Sequence, residues 1–434
     1  MARQVVQLLP ATPADRRRAL EEVKDFAFTD MGYGDEGRWT YRLLPEPALS
    51  DELRRLAHPR STANTDSVTF QPCRSYEQRS QDRHVVERWT IHGSSWVFTA
   101  VFDGHVNHNT VDLATEKVPP LVRTSLEALL AQTTSPSPAR ISDLLSQAIA
   151  EVDSAIMSDF LSIFARANVD VSNVRPEFAK PLINDLARGG QHHEKVSRVL
   201  GGSTALLTLY NERHGDLWVA NLGDCCAVLG TWDRSRWSAT LINSIHNGSN
   251  VDELNRVKSE HPLHEQCIQE DRILGWLAPT RAIGDFWLKL PRIYTENIFI
   301  HFDGMKRDPL HKYVSRIQTP PYVSTKADVY HRRIRGRHGG AAGPRDVFLI
   351  TCTDGMLDLA HGEPLQLSQQ LLDRWVGVVG ATLQQRHAHP PNLALALLRD
   401  SIGGQDTELV SRNLTVEMDE RWMDDTTILV QRFA

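Results

Sequence analysis

Three strand-like runs meet aspartate at one end, and this repeated step limits the fold more than any other feature of the sequence. The run WVFTAVF (96–102) passes into Asp103-Gly104-His105, VFLITC (347–352) passes into Thr353-Asp354-Gly355-Met356-Leu357-Asp358, and Met423-Asp424-Asp425 leads into TTILVQRF (426–433). Their Val, Ile, Thr and aromatic residues are those that strands favour. A hard divalent cation needs carboxylate oxygens held on rigid elements around one cleft, and strand ends provide that. Glycine after Asp103 and Asp354 lets the backbone turn sharply and lets a carbonyl or a metal approach closely. Taken singly, Asp-Gly after a strand is also what an ordinary turn looks like; its recurrence points to a metal site.

Further strand runs are HVVERW (84–89), STALLTLY (203–210) and LWVANL (217–222). The polar link Asn211 to Asp216 reads as a hairpin connection, so antiparallel neighbours are expected. Helical period marks Ile141 to about Phe164, Val251–Ser259, Leu365–Val378 and Leu393–Ile402. Strands and helices come in blocks, which predicts an α+β fold of two packed antiparallel β-sheets flanked by helices. Residues 1–65 carry helix signals broken by Pro and Gly, without a strong strand or a chemical motif, and read as an N-terminal extension to a domain over 66–434. Within that domain, 168–200 and the Gly-rich 333–345 read as insertions.

Several classes are excluded. No apolar run approaches the eighteen or so residues of a membrane span, so none is expected. A net charge of -6 argues against nucleic acid as a main partner. Five cysteines form no CxxC pair and no zinc spacing, which fits a reducing intracellular compartment, cytoplasmic or mitochondrial. Thr12-Pro13-Ala14-Asp15 looks like the capped start of an ordinary helix to about residue 25, rather than a transit peptide.

The acidic steps and their flanks resemble the PPM (PP2C-type) family of metal-dependent serine/threonine protein phosphatases over roughly residues 68–433. The matching pieces are VFDGH (101–105), GGSTALLTLY (201–210), LWVANLGD (217–224), LGWLAPTRAIGD (274–285), LITCTDGMLD (349–358) and DDTTILV (424–430). Outside them, DELNRVKSEHP (252–262), DRILG (271–275), TPPYV (319–323) and YHR (330–332) resemble the pyruvate dehydrogenase phosphatase branch.

The resemblance implies hydrolysis of phosphoserine and phosphothreonine in a phosphorylated protein substrate, pyruvate dehydrogenase or a similar one. Water activated by two Mg2+ or Mn2+ ions, with a looser third, would do the chemistry. By the same resemblance Asp103 bridges the two ions, and Asp354 and Asp424 complete the first. The Gly104 carbonyl faces the second, and Asp82 holds a metal-bound water. Asp224 and Asp358 match the positions for the third ion, with Asp354 shared. His105, two residues from Asp103, is the candidate general acid, because a departing serine alkoxide needs a proton. His246, Arg272 and Arg281 read as residues that hold the fold.

Departures from the family pattern motivate a rival reading. Gln81-Asp82 stands where Glu-Asp is usual, so a carboxylate ligand becomes a neutral amide and metal binding should weaken. Glu77 replaces the usual phosphate-binding arginine, with Arg79 two residues on. Val106-Asn107 replaces two glycines, and Gly223-Asp224-Cys225-Cys226 replaces Gly-Asp-Ser-Arg. The rival is a catalytically weak or silent member that binds phosphoproteins or scaffolds a partner. Against it, so many like charges have little reason to stay together without a metal. Cys73 to Arg79 satisfies the C-x5-R spacing of cysteine-dependent phosphatases, but the loop lacks glycine and carries Glu77, which would repel phosphate. The basic stretch His331 to His338 reads as a solvated hairpin.

Overall fold

A computed structural model describes residues 25–34, 39–73, 80–133, 135–304, 310–335, 344–359, 367–385, 390–418 and 421–433. The helix expected over 12–25, the loop 74–79 with Glu77 and Arg79, and most of 333–345 therefore fall outside or at the edge of the described residues.

Two antiparallel sheets form the centre. One has five strands in the order Asp328–Arg333, Asp216–Leu222, Ala205–Asn211, Ser94–Phe102, Arg83–Ile91. The other has six, in the order Trp237–Leu241, Cys226–Trp232, Arg345–Cys352, Thr426–Arg432, Thr65–Phe70, Arg60–Thr62. Alternation along each strand sorts side chains between two faces. Val97, Leu206, Val219, Ala227, Leu229 and Leu349 meet between the sheets. From the same strands Trp96, Phe98, Ala100 and Phe102 turn outward onto Asn109–Gln132 and Pro138–Ala167. On the far side Val228, Phe348, Ile350 and Ile428 pack against Gln369–Gln384, Leu393–Ser401 and Ala48–Ala57. The result is four layers, helices outside two sheets, as the blocks of the sequence suggest.

Some elements were not expected from the sequence. No strand was anticipated before Val68, yet Phe26–Thr29 pairs with Trp39–Arg42, and Arg60–Thr62 extends the larger sheet. Leu49, Leu53 and Ala57, four residues apart, form one helical face and are buried in the core. Residues 168–200 hold two helices, Pro176–Ile183 and Gln191–Leu200, the second burying Val196, Val199 and Leu200. The basic stretch begins inside the edge strand Asp328–Arg333. There His331 pairs with Asp216, and Arg332 and Arg335 pair with buried Asp346.

A third sheet is small but decisive for the site. Gly104–His105, Gly202–Ser203 and Ile283–Gly284 are three two-residue strands with Gly202–Ser203 in the middle.

Candidate metal centre

Asp103 leaves the end of Ser94–Phe102 and is fixed through its backbone. Its N–H donates to Thr204 Oγ1 at 3.2 Å, and its carbonyl accepts from the Thr204 N–H at 2.9 Å. Asp354 follows Arg345–Cys352 and opens the one-turn helix Gly355–Asp358. The glycines beside them are needed for close approach rather than for a left-handed turn. A Cβ on Gly104 would lie 2.7 Å from Val111 Cγ1 and 2.8 Å from the Gln81 carbonyl oxygen; one on Gly355 would lie 2.0 Å from the Asp425 carbonyl oxygen. Gly223, before Asp224, needs both: its φ is +119°, and a Cβ would meet Thr204 at 2.5 Å.

These elements gather the predicted acids into one cluster. Carboxylate oxygens of Asp103, Asp224 and Asp354 lie within 4.8 Å of one another. Asp82 is buried and accepts from Thr353 Oγ1 at 2.8 Å. Asp424 and Asp358 stand at the exposed rim. Burial, then the neighbouring carboxylates, holds Asp82, Asp103 and Asp354 well above the usual carboxylate range. Burial together with Asp424 pushes Asp224 up to about 6, and burial with Asp424 also raises Asp358.

The donor set fits divalent cations. Asp82 Oδ1, Asp224 Oδ1 and Asp354 Oδ1 are buried without a hydrogen-bond partner. Buried polar atoms are normally satisfied, and crowded carboxylates demand a counter-charge. Hard oxygen donors on several strand ends are what Mg2+ or Mn2+ takes.

Around the acids, the chain shows residues whose part was not read from the sequence. Asp425, overshadowed by Asp424, is buried, accepts from the Gln81 N–H at 2.7 Å and from Gln71 Nε2 at 3.1 Å, and pairs with Arg421. It thereby pins the segment carrying Asp82. His105 is half-buried with Nε2 2.8 Å from Asp285 Oδ2. Burial alone would lower its imidazole, but the Asp285 carboxylate outweighs that and the net shift is upward.

His246 is buried and structural in its contacts. Its Nδ1 accepts from the Gly223 N–H at 3.2 Å, which leaves Nε2 to donate to Asp328 at 3.0 Å. Arg281 is locked between Glu253 and Asp328, and Arg272 donates to the Trp276 carbonyl at 3.0 Å.

A family model described as protein phosphatase 2C matches residues 66–361. The chain belongs to the protein phosphatase 2C family. It is a protein serine/threonine phosphatase by class, and the family is metal-dependent and acts on phosphoproteins. A protein phosphatase 2C homolog of Schizosaccharomyces pombe is 28% identical over 384 residues, covering 83% of this chain and 77% of that one. Human mitochondrial pyruvate dehydrogenase [acetyl-transferring] phosphatase 2 is 29% identical over 317 residues, 65% of this chain and 56% of the relative. Rat mitochondrial pyruvate dehydrogenase [acetyl-transferring] phosphatase 1 is 30% identical over 308 residues, 62% and 55%. The chain thus spans little more than half the length of these two mitochondrial relatives. Among solved structures, serine-threonine phosphatase 2C from Toxoplasma gondii aligns over 87% of this chain and 97% of its own, with a TM-score of 0.49 and 16% identity.

Within this phosphatase 2C chain the departures have visible local effects. Val106, exposed, adopts φ +71°, a left-handed conformation that a β-branched residue rarely takes. Asn107 Nδ2 donates to the Ser197 carbonyl at 2.8 Å, and its Oδ1 accepts from the Asn109 N–H at 2.9 Å, so it ties two helices together. Among the described residues no helix is long and apolar enough to cross a membrane.

Proposed function

We propose that this chain removes phosphate from phosphoserine and phosphothreonine in proteins with the help of Mg2+ or Mn2+ held by the acidic cluster. The three orphaned carboxylate oxygens of Asp82, Asp224 and Asp354 carry this reading, because each is buried with no hydrogen-bond partner among the described residues. Asp103, Asp354, Asp424, the Gly104 carbonyl and Asp82 would hold two ions, and Asp224, Asp358 and Asp354 a third. Ions so held lower the pKa of a water and offset charge on the phosphoryl oxygens.

The chain's own residues do the rest. Thr204 and Thr353 fix Asp103 and Asp82 through the hydrogen bonds above, and Asp425 fixes the backbone at Gln81. His105 gives a proton to the departing serine or threonine oxygen, which is too basic to leave as an alkoxide. Likeness to the pyruvate dehydrogenase phosphatases supports pyruvate dehydrogenase, or a protein phosphorylated in a similar setting, as substrate. Gln81 favours a second reading, a weak or silent phosphoprotein-binding member, since its amide brings no charge to the cluster.

Assays of a phosphoserine peptide and p-nitrophenyl phosphate with Mn, with Mg and with chelator separate the two. Turnover should require divalent metal and resist thiol alkylation. His105→Ala should lower peptide turnover more than that of the aryl phosphate, whose leaving group needs no proton. Activity that survives chelation, or is lost on alkylation, would overturn the assignment; metal bound without turnover would favour the silent reading.

A further inference from the structure

We propose that Asp285 is the positioning residue for His105, fixing which ring nitrogen delivers the proton. The small three-stranded sheet creates the pair. His105 lies opposite Gly202 on one side of the middle strand and Gly284 lies opposite Gly202 on the other, so Asp285 follows directly beside the imidazole. Its backbone takes φ +51° and donates its N–H to the Gly201 carbonyl at 2.9 Å. Its side chain is 0% exposed, and Oδ2 sits 2.8 Å from His105 Nε2. A Cβ on Gly202 would fall 2.1 Å from both of those atoms, so the pair exists only because glycine stands between the strands. The other oxygen, Oδ1, is buried without a partner.

A buried carboxylate on one imidazole nitrogen orients the ring and selects its tautomer. With Nε2–H given to Asp285, Nδ1 is the nitrogen left to act on substrate. In the proposed step the Nδ1–H bond breaks and its electron pair stays on the ring. The proton joins the departing serine oxygen, and the neutral ring remains hydrogen-bonded to Asp285 through Nε2–H. This rests on the general-acid reading of His105.

The test uses the full chain with Mn and compares Asp285→Asn, His105→Ala and the double variant on a phosphoserine peptide and on p-nitrophenyl phosphate. A general acid contributes roughly 100-fold or more. Asp285→Asn should therefore lower kcat on the peptide about 10- to 100-fold, lower it less than about threefold on the aryl phosphate, and leave KM nearly unchanged. In the His105→Ala background it should add nothing, since the two residues act as one unit. Equal losses on both substrates, or losses that multiply in the double variant, would overturn the role of Asp285 while leaving that of His105 standing. If His105→Ala itself shows no leaving-group selectivity, the general-acid reading falls and takes this proposal with it. Should Asp285→Asn fail to fold, 15N spectra of the histidine-labelled, unmodified chain serve instead, with His105 identified by its loss in His105→Gln. A slowly exchanging Nε2–H is expected; a ring protonated on Nδ1 with a bare Nε2 would refute the pairing.

Discussion

Replacing Asp354 with asparagine should make the metal-free protein more stable while ending its catalysis. With carboxylate oxygens of Asp103, Asp224 and Asp354 within 4.8 Å of one another, each fully charged pair costs about 3.5 kcal/mol at an effective dielectric near 20. The fold escapes part of this by taking up protons, which is why burial and its neighbours hold Asp354 well above the usual range. The sign follows directly. A carboxyl raised in the folded state keeps a proton that the unfolded chain releases near pH about 4, so wild-type stability falls as pH rises from there through the raised value. Asparagine has neither charge nor proton to manage. Its advantage should be small at pH 5 and reach about 2–4 kcal/mol at pH 8. For 434 residues at about 2.1 cal/mol/K each, the unfolding entropy is near 0.9 kcal/mol/K, so Tm should rise by about 2–4 °C. Differential scanning calorimetry in chelator at pH 5, 6.5 and 8 measures it. In excess Mn the order should invert, because the wild type gains more from binding. A variant less stable than wild type at pH 8 in chelator would refute the reasoning, showing that internal hydrogen bonds rather than repulsion govern Asp354.

Other outcomes follow from single contacts. Gln81→Glu, which adds a carboxylate beside the pinned segment, should lower the Mn concentration for half-maximal activity about tenfold or more, worth about 1.4 kcal/mol, with little change in maximal rate; superimposable titrations would mean that residue 81 does not face the metal. Val106→Gly relieves φ +71° and should stabilise by about 1 kcal/mol, read as a higher urea midpoint with unchanged slope. Gly380→Ala would place a Cβ 2.2 Å from the Trp237 ring and should destabilise by about 1–3 kcal/mol in the same measurement.

What could be read from the sequence was what is local. Ser94–Phe102, Arg345–Cys352 and Thr426–Arg432 betray themselves by β-branched and aromatic content, and the acids at their ends come with them. Cys226–Trp232 was hidden by Gly230, which looks like a break but is demanded by the Phe348 ring, 2.4 Å from where a Cβ would sit. Asn109–Gln132 was hidden by Pro119 and Pro120, which signal a helix end yet lie inside one whose buried face is anchored in the core. Asp285 was beyond reach because its neighbour His105 is 180 residues away, and two-residue strands leave no periodicity to find.

The larger sheet also dictates when this protein can come into being. Thr426–Arg432 occupies an interior position, paired on one side with Arg345–Cys352 and on the other with Thr65–Phe70. Thr427 and Thr69, which touch across that seam, are 358 positions apart. At ribosomal speeds of about 5–20 residues per second, Thr65–Phe70 waits roughly 20–70 s for its partner. Over that interval Thr65–Phe70 is an unfinished strand edge of the nascent chain, joined late in it by Arg345–Cys352, and chaperones or aggregation partners compete for these edges. A frameshift just ahead of Thr426 would thus remove the middle of a sheet rather than trim an edge, and the sheet cannot be completed until the 358 positions that separate Thr69 from Thr427 have been made.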